Sequence, residues 1–301
     1  MALADARLFH VNVNCAELER SRRFYEEALG LTAGVRTAAS DAQPGAAFGL
    51  DRARWDAWIM LGPRAFEGGA IDLLEWQEPA PTGAAPARVT QCGFQRLGFM
   101  VTDLDAAIAR VDELGGAVWS ESFTHALPAG GEVRLVLAND PDGTALELIE
   151  GEGPRVAFVA IACADLERSV AFYRGLGFRD VARFPSTHAD GAHLRIDGPV
   201  AMEEVMLLAP TKSDVNVMLV GFSTPAAQRS AARPANSLGM WRCALLVADV
   251  DAAYAEVGRL GITALSAPTA MAMGPGLPDL RFFCFAGPDG EMIELIETPA
   301  L

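Results

Sequence analysis

The sequence predicts an α+β fold built from four βαβββ modules, because one pattern of strand and helix is repeated along the chain. Residues 10–25 return as residues 158–173, with the leading histidine replaced by phenylalanine. A second and different pair, residues 96–107 and 242–253, interleaves with the first. The chain is therefore a duplication of a unit that is itself duplicated.

The repeat divides the chain of 301 residues near the short Gly-Glu-Gly-Pro joint at residues 151–154. Glycine and proline at such a joint are typical of a boundary between domains. We therefore predict one domain over residues 1–151 and another over residues 154–301. The predicted modules are residues 7–78, 92–150, 155–222 and 240–298.

Each module opens with an apolar strand that leads directly into an amphipathic helix. In the first module, the strand at residues 8–15 precedes a helical pattern that stops at Gly30. In the second module, Thr102 or Asp103 is placed to cap a helix whose apolar residues recur at helical spacing until Gly115. The caps and the glycines therefore mark where each helix begins and ends.

Further strands are expected after each helix. The most distinct ones in the first two modules are residues 55–61, 71–76, 133–137 and 145–149. Pro-Asp-Gly turns at residues 141–143 and 288–290 join the last two strands of the second and fourth modules as hairpins. Segments rich in proline and alanine at residues 78–88 and 223–237 are expected to be exposed linkers between modules.

This organisation resembles the vicinal oxygen chelate superfamily, which contains glyoxalases, bleomycin-resistance proteins and extradiol dioxygenases. The motifs that carry the resemblance are Ala-Glu-Leu-Glu-Arg-Ser-x-x-Phe-Tyr followed by Leu29 and Gly30, and the closing Pro-Asp-Gly-x-x-x-Glu-Leu-Ile-Glu. The resemblance covers essentially the whole chain. It implies that the modules pair into two cup-shaped mixed β-sheet domains with the helices outside, and that a divalent metal lies inside a cup.

The resemblance places metal ligands on the first and last strands of the two modules that form a cup. In the first half these positions hold His10, Asp72, Arg96 and Glu147. One imidazole and two carboxylates suit Fe, Mn, Ni or Zn and leave coordination positions open for a chelating substrate. His10, Asp72 and Glu147 are therefore the candidate metal ligands, and one such metal is the candidate cofactor of the first domain.

Arginine at the fourth position argues against a metal. Guanidinium stays protonated and has no lone pair to donate, and Arg96 would compete for Glu147 through an ion pair. The second half has Phe158, Arg242 and Glu294 at three of the matching positions, so no metal is expected there. Each arginine then either neutralises a buried glutamate or grips an anionic group of a ligand, and the sequence leaves both interpretations open.

The pairing of modules is a second open question. Superfamily members rearrange their modules, so the first module can close a cup with the second or with the fourth. The fourth-module alternative would assemble His10, Asp72, Arg242 and Glu294 instead. In this alternative too, an arginine, Arg242, would occupy the ligand position at which the resemblance implies a second histidine.

Aromatic and imidazole side chains are further candidates for ligand contact. Trp58 and Trp76 lie on strands with large apolar side chains, one face of which must look into a cup. His125 is a candidate acid, base or ligand contact, and the loop with His188 and His193 is an alternative metal site. The candidate ligand-binding residues are Trp58, Trp76, Arg96, Arg242, Glu294 and His125, and the candidate catalytic residues are Glu147, His10 and Arg96.

Composition restricts the classes of partner. The net charge of −15, with no basic stripe, disfavours nucleic acid, and no apolar run approaches the length that spans a bilayer. The five cysteines lack zinc-type spacing and are expected to be reduced structural thiols. The N-terminal residues do not resemble a signal peptide, so we expect a cytoplasmic monomer or homodimer with a small-molecule partner.

Two functional hypotheses follow. The first is a glyoxalase-like or dioxygenase-like enzyme that acts on a small oxygenated organic molecule, either with a metal or by proton transfer alone. The second is a metal-free protein of the bleomycin-resistance kind that sequesters a hydrophobic or aromatic compound. A bound transition metal would favour the first, and tight binding without turnover would favour the second.

Overall fold

The computed structural model describes residues 3–126 and 130–297. The helices of these ranges are α1 (Leu18–Glu27), α2 (Leu104–Glu113), α3 (Leu166–Gly175) and α4 (Val250–Arg259). The strands are β1 (Arg7–Asn14), β2 (Thr32–Thr37), β3 (Gln43–Pro44), β4 (Arg52–Leu61), β5 (Ala70–Glu78), β6 (Gly93–Val101), β7 (Ala117–Val118), β8 (Phe123–Ala126), β9 (Glu132–Asn139), β10 (Ala145–Glu150), β11 (Arg155–Cys163), β12 (Arg179–His188), β13 (Val200–Leu208), β14 (Asn216–Thr224), β15 (Gly239–Val247), β16 (Thr269–Met271), β17 (Leu280–Ala286) and β18 (Met292–Glu297).

The strands form two curled nine-stranded sheets, and each sheet combines two modules. One sheet has the order β16-β17-β18-β15-β1-β5-β4-β2, with β3 paired to β4. The other has the order β12-β13-β14-β11-β6-β10-β9-β7, with β8 paired to β9. The first cup is therefore made by the first and fourth modules, and the second cup by the second and third modules.

The sequence leaves two pairings of the modules open, and the structure has the one in which the first module pairs with the fourth. Each sheet therefore contains one module from each half of the chain. The antiparallel contacts that join the modules are β1 with β15 and β6 with β11. The connection between β10 and β11 is short, running only from Glu150 to Arg155, so the second and third modules become neighbours in one sheet. The longer linkers carry the chain between the two sheets.

Each helix begins at an acidic N-cap. The side chains of Glu17, Asp103, Asp165 and Asp249 accept a hydrogen bond from the backbone N–H three residues later. Of the two residues predicted as possible caps of the second helix, Thr102 and Asp103, the cap is therefore Asp103. The same pattern, Ala or Thr, then an acid, then Leu or Val, starts all four helices. Carboxylates at this place also interact favourably with the positive end of a helix.

The central strands separate two apolar layers. On β1, Val11 and Val13 belong to the layer under the helices, whereas His10, Asn12 and Asn14 alternate with them and face the cup. The neighbouring strands show the same alternation. The polar residues of the repeats are therefore directed into the cups by the two-residue period of the strand.

The two cups contact each other through buried tyrosine–carboxyl pairs. The hydroxyl of Tyr25 on α1 donates to Asp140 in the turn of the second module, and that of Tyr173 on α3 donates to Glu291 in the turn of the fourth. Burial raises the pKa of Asp140 to about 6 and that of Glu291 to about 7. These hairpin turns, predicted from Pro-Asp-Gly, join β9 to β10 and β17 to β18.

The predicted exposure of the linkers is wrong in part. The two linkers run side by side, with hydrogen bonds from the N–H of Thr82 to the carbonyl of Asn236 and from the N–H of Cys92 to the carbonyl of Gln228. Ala235 is 1% exposed because it packs against the interior of the first cup. The linkers therefore form a second connection between the cups.

The composition led to expectations about the cysteines and about membrane-spanning segments. All five cysteines are unpaired and buried, as expected of structural thiols. Of the helices in the described ranges, none has the length and apolar character needed to cross a bilayer.

Candidate functional site

The polar centre of the first cup is assembled from four neighbouring strands. His10 lies on β1, Asp72 on β5, Arg242 on β15 and Glu294 on β18. All four residues are buried, with exposures between 2% and 5%. The parallel pairs β1–β5 and β15–β18 and the antiparallel pair β1–β15 set their register, so the cluster follows directly from the sheet order.

Arg242 donates hydrogen bonds to both carboxylates of this cluster. Its Nη2 donates to Asp72 Oδ2 at 2.6 Å, and its Nε donates to Glu294 Oε2 at 2.8 Å. His10 Nε2 lies 3.5 Å from Glu294 Oε2 and 3.9 Å from Asp72 Oδ2. Neither ring nitrogen of His10 has a hydrogen-bond partner, and the same is true of Arg242 Nη1. The first cup therefore holds three buried polar atoms that lack a hydrogen-bond partner within the described part of the protein.

The charges of the cluster stabilise one another. Burial alone would lower the pKa of the Arg242 guanidinium, but Glu294 and Asp72 outweigh burial and raise that pKa. Burial alone would raise the pKa of Glu294, but Arg242 and His10 lower it below its usual range. Arg242 and Glu294 are therefore both ionised in the neutral pH range. A buried pair of this kind persists because removal of either partner leaves an uncompensated charge.

These residues do not fit a divalent metal. The guanidinium stands at the place of the fourth ligand and donates to one oxygen of each carboxylate, so it competes with a cation for Asp72 and Glu294. Across residues 3–126 and 130–297, no three His, Cys, Asp or Glu side chains are placed to hold a metal ion. The chemistry available to the first cup is therefore that of hydrogen bonds, charge and proton transfer.

An apolar cavity of about 170 Å³ opens beside this cluster. Its wall includes Phe48 and Trp55, and the guanidinium carbon of Arg242 lies 5.3 Å from the centre of the Phe48 ring. Phe48 also makes aromatic contacts with Trp76, Trp241 and Phe282. The wall of the cavity next to the polar cluster is thus aromatic, which suits a flat apolar ligand.

The two tryptophans predicted to bind a ligand do not line this cavity. Trp58 lies on the face of β4 that packs beneath α1, where its Nε1 donates to Glu19 at 3.2 Å and Arg36 stacks on its ring. Trp76 is 1% exposed in the aromatic cluster, and its Nε1 donates to Asn14 at 3.1 Å. The opposite face of β4, with Trp55 and Ile59, looks into the cup instead. Both faces of β4 are apolar, so the pattern alone did not distinguish them.

The second cup contains the other two residues that the sequence placed in the first half's metal site. Arg96 on β6 donates from Nε to Glu147 on β10 at 2.5 Å and from Nη2 to Glu204 on β13 at 2.6 Å. Its Nη1 donates to Gln95. Burial acts against the Arg96 charge, but Glu147 and Glu204 outweigh it and raise the pKa of the guanidinium. Glu147 and Arg96 are therefore not assembled with His10 and Asp72.

Apolar side chains occupy the remaining ligand positions of the second cup. Phe158 on β11 replaces the histidine, and Met218 on β14 replaces the carboxylate. The ring of Phe158 lies against Gly98, where an added Cβ would come within 2.3 Å of it, and the Arg96 guanidinium carbon lies 5.7 Å from the ring centre. The glycine therefore makes room for the phenylalanine that covers the Arg96 cluster.

Three of the four histidines of the chain line the second cavity, which has a volume of about 300 Å³. His125 lies on β8, and the rings of His188 and His193 pack edge to face with their centres 4.7 Å apart. Burial lowers the pKa of His193, and the neighbouring His188 lowers it further. His125 therefore lines the second cavity and does not lie in the cup of His10.

Sequence reasoning missed Glu204, the second carboxylate on Arg96. It lies on β13 between Met202 and Met206, and all three line the second cavity because they alternate along the strand. The adjacent carboxylates Glu203 and Glu204 in an otherwise apolar strand were the available signal. Glu203 faces the other side and pairs with Arg183 at 3.2 Å.

Comparison with solved structures places this arrangement among known folds. Glyoxalase I from Zea mays has a TM-score of 0.65 and 18% identity to the chain, over 97% of this chain and 92% of that one. A putative dioxygenase from Bacillus subtilis has a TM-score of 0.61 and 13% identity, over 98% of this chain and 86% of that one. At this level of identity the likeness concerns the fold.

Sequence comparison agrees with the fold. The uncharacterized protein YaeR of Escherichia coli K12 is 26% identical over 148 residues, which are 48% of this chain and 95% of that protein. The family model of the Glyoxalase/Bleomycin resistance protein/Dioxygenase superfamily matches residues 7–148 and 155–295. Both halves of the repeat are therefore covered. The chain belongs to the glyoxalase/bleomycin resistance protein/dioxygenase superfamily.

Proposed function

We propose that the protein binds a small aromatic molecule in the first cup without a divalent metal. The observation that carries the proposal is the position of Arg242. This residue lies where the family pattern expects a metal-ligating side chain, and it donates hydrogen bonds to both Asp72 and Glu294. Members of this family bind small-molecule substrates. In this chain the guanidinium, and not a metal, provides the positive charge that organises the cup.

The size and polarity of the cavity support one class of ligand. A dry cavity of about 150 Å³ is large enough for benzene, and the first cavity measures about 170 Å³. Phe48 and Trp55 offer aromatic faces, while His10 and Arg242 offer unpartnered nitrogen atoms. A single ring that carries a hydroxyl or carbonyl group would satisfy both sides of the cavity.

The binding of p-cresol and toluene tests this proposal. We expect p-cresol to bind with an affinity at least about tenfold higher, because its hydroxyl pairs with a buried nitrogen that toluene leaves unsatisfied. In the variant His10→Phe, which carries the residue found at the equivalent position in the third module, the preference should fall. Isothermal titration calorimetry of both proteins with both compounds measures the difference.

Equal binding of the two compounds, or an unchanged preference in His10→Phe, would contradict the assignment of the polar wall. Failure of both compounds to give a saturable signal would contradict the proposal that the cavity takes a single aromatic ring. A near-ultraviolet circular dichroism spectrum like that of the wild type shows that the variant keeps the aromatic packing of the first cup.

A second candidate function is proton transfer on a carbonyl compound, and the unpartnered nitrogens of His10 favour it. In this reaction His10 would accept a proton from the carbon next to the carbonyl, and the C–H electron pair would form an enolate. The enolate oxygen would accept a hydrogen bond from Arg242 Nη1, which has no partner in the protein. Return of a solvent-derived proton from His10 to the carbon would complete the exchange.

Proton exchange in deuterium oxide tests this second candidate. We expect the wild-type protein to accelerate deuterium incorporation into the methyl group of acetophenone, as followed by proton NMR, and His10→Gln to abolish the acceleration. Equal rates with His10→Gln, or with no protein, would reject proton transfer and leave binding alone.

A further inference from the structure

The second cup has a polar centre that differs from that of the first in having, among the residues that the structure describes, no histidine beside its two carboxylates. Each cup places two carboxylates on one guanidinium. In the first cup, His10 Nε2 lies within 3.9 Å of both carboxylates. Among the described residues of the second cup, neither Glu147 nor Glu204 has a histidine as an ion-pair partner.

The second cup therefore carries an excess of one negative charge at its centre. Arg96 Nε and Nη2 each occupy one oxygen, Glu147 Oε2 and Glu204 Oε1. Within the described part of the chain, no N–H or O–H group donates to the other oxygen of either carboxylate. Both side chains are 12% exposed, and both line the cavity, so these oxygens are open to a ligand.

Other charges near the cavity do not remove this excess. Arg155 lies on the cavity wall, but its Nε donates to the carbonyl of Glu152 at 3.2 Å, and in the described ranges it makes no ion pair with Glu147 or Glu204. Burial and His188 lower the pKa of His193, which favours its neutral form. The net charge of −15 adds a field that attracts cations to the whole protein.

The rest of the cavity is apolar and polarizable. Phe158 and Phe184 line it together with Met202, Met206 and Met218. Aromatic faces and thioethers interact favourably with cationic and aromatic groups. The volume of about 300 Å³ exceeds that of the first cavity, about 170 Å³, and suits a ligand with more than one ring.

We propose that the second cup is a separate site for an organic cation, in which a protonated amine lies between Glu147 and Glu204 and an aromatic body fills the Phe–Met cavity. This site is independent of the ligand proposed for the first cup. The ammonium group donates to the two open carboxylate oxygens and completes the charge balance that Arg96 alone does not achieve.

Three naphthalene compounds with different charges test the proposal at pH 7.5. They are 1-naphthylmethylamine, which is a cation, 1-naphthylmethanol, which is neutral, and 1-naphthoate, which is an anion. We expect the amine to bind at least about tenfold more tightly than the alcohol, because its charge is paired with carboxylates, and we expect the anion to bind most weakly. Fluorescence titration of the wild-type protein gives the three affinities.

The variants Glu204→Gln and Glu203→Gln locate the site. They make the same substitution at adjacent positions of β13, but Glu204 faces the cavity and Glu203 faces away from it. We expect Glu204→Gln to reduce amine affinity about tenfold and to leave alcohol binding unchanged, and Glu203→Gln to change neither. Arg96 keeps Glu147 in the first variant, so the fold should be preserved.

The proposal is overturned if the alcohol or the anion binds as tightly as the amine in the wild-type protein, a comparison that needs no variant. It is also overturned if amine binding is not saturable, or if Glu204→Gln and Glu203→Gln have equal effects. Both substituted residues lie outside the first cup. Failure of the p-cresol experiment would therefore not change the interpretation of amine binding in the second cup.

Discussion

Replacing Arg242 with methionine is expected to lower the free energy of unfolding by about 3–5 kcal/mol, the usual cost of removing one partner from a buried ion pair. Asp72 and Glu294 would lose the 2.6 Å and 2.8 Å hydrogen bonds that hold them in the first cup. Their side chains are 5% and 3% exposed, so solvent cannot replace the guanidinium. Methionine fills much of the arginine volume, so charge and not packing dominates the loss.

The loss should depend on pH in a defined direction. Arg242 lowers the pKa of Glu294, so the pair contributes stability that is present above the ordinary pKa of a glutamate and disappears as pH falls through the lowered value. The difference between wild type and Arg242→Met should therefore be largest near neutral pH and shrink in acid. Urea denaturation across this range measures it.

A surface pair provides the control. Arg23 on α1 donates from Nε to Glu27 at 2.7 Å, but its side chain is 64% exposed. We expect Arg23→Met to leave stability unchanged, because water screens an exposed pair. Equal losses in the two variants would mean that burial does not govern the Arg242 cluster, and a loss that grows in acid would contradict the assigned charges.

Replacing Arg242 with histidine is expected to create a metal site in the first cup. The substitution removes the cation between Asp72 and Glu294 and supplies an imidazole beside His10, which gives two nitrogen and two carboxylate ligands. This donor set suits Zn(II) and Ni(II). At a free metal concentration one hundred times the Kd, binding would stabilise the folded protein by about 2.7 kcal/mol.

Thermal denaturation with and without added Zn(II) measures this gain. We expect Tm to rise with Zn(II) for Arg242→His, and not for the wild type or for Arg242→Gln, which removes the charge without adding a ligand. The matched substitution Arg96→His should give a weaker response, since Phe158 and Met218 occupy the other positions of the second cup and only one imidazole would join Glu147 and Glu204. A Zn(II) response in all four proteins would indicate binding elsewhere on the chain.

The residues of the two cups were predictable where the repeat and the strand period determine them. His10 and Arg242 occupy equivalent positions on the first strands of the first and fourth modules, and Asp72 and Glu294 occupy equivalent positions on the last strands. A two-residue period directs each of them into the first cup. The grouping of these residues was not predictable. The grouping depends on the path of the linkers. No sequence motif in the linkers indicates which of the two sheets the following module joins.

The structure differs from the sequence-based interpretation at positions where the local pattern is ambiguous. Both faces of β4 carry large apolar side chains, so Trp58 could not be distinguished from Trp55 as the residue that faces the cup. Glu204 lies on a middle strand of its module, outside the first and last strands that the family pattern marks. Its role depends on the contact with Arg96, which belongs to another module and lies 108 positions away in sequence.

The metal content of the wild-type protein tests the central claim, that a guanidinium takes the place of a metal in the first cup. The protein is purified without chelator, incubated separately with Fe(II), Mn(II), Ni(II) and Zn(II), desalted, and measured by inductively coupled plasma mass spectrometry beside His10→Ala. We predict that neither protein retains a stoichiometric ion. A near-stoichiometric ion that the wild type retains and His10→Ala loses would contradict the account.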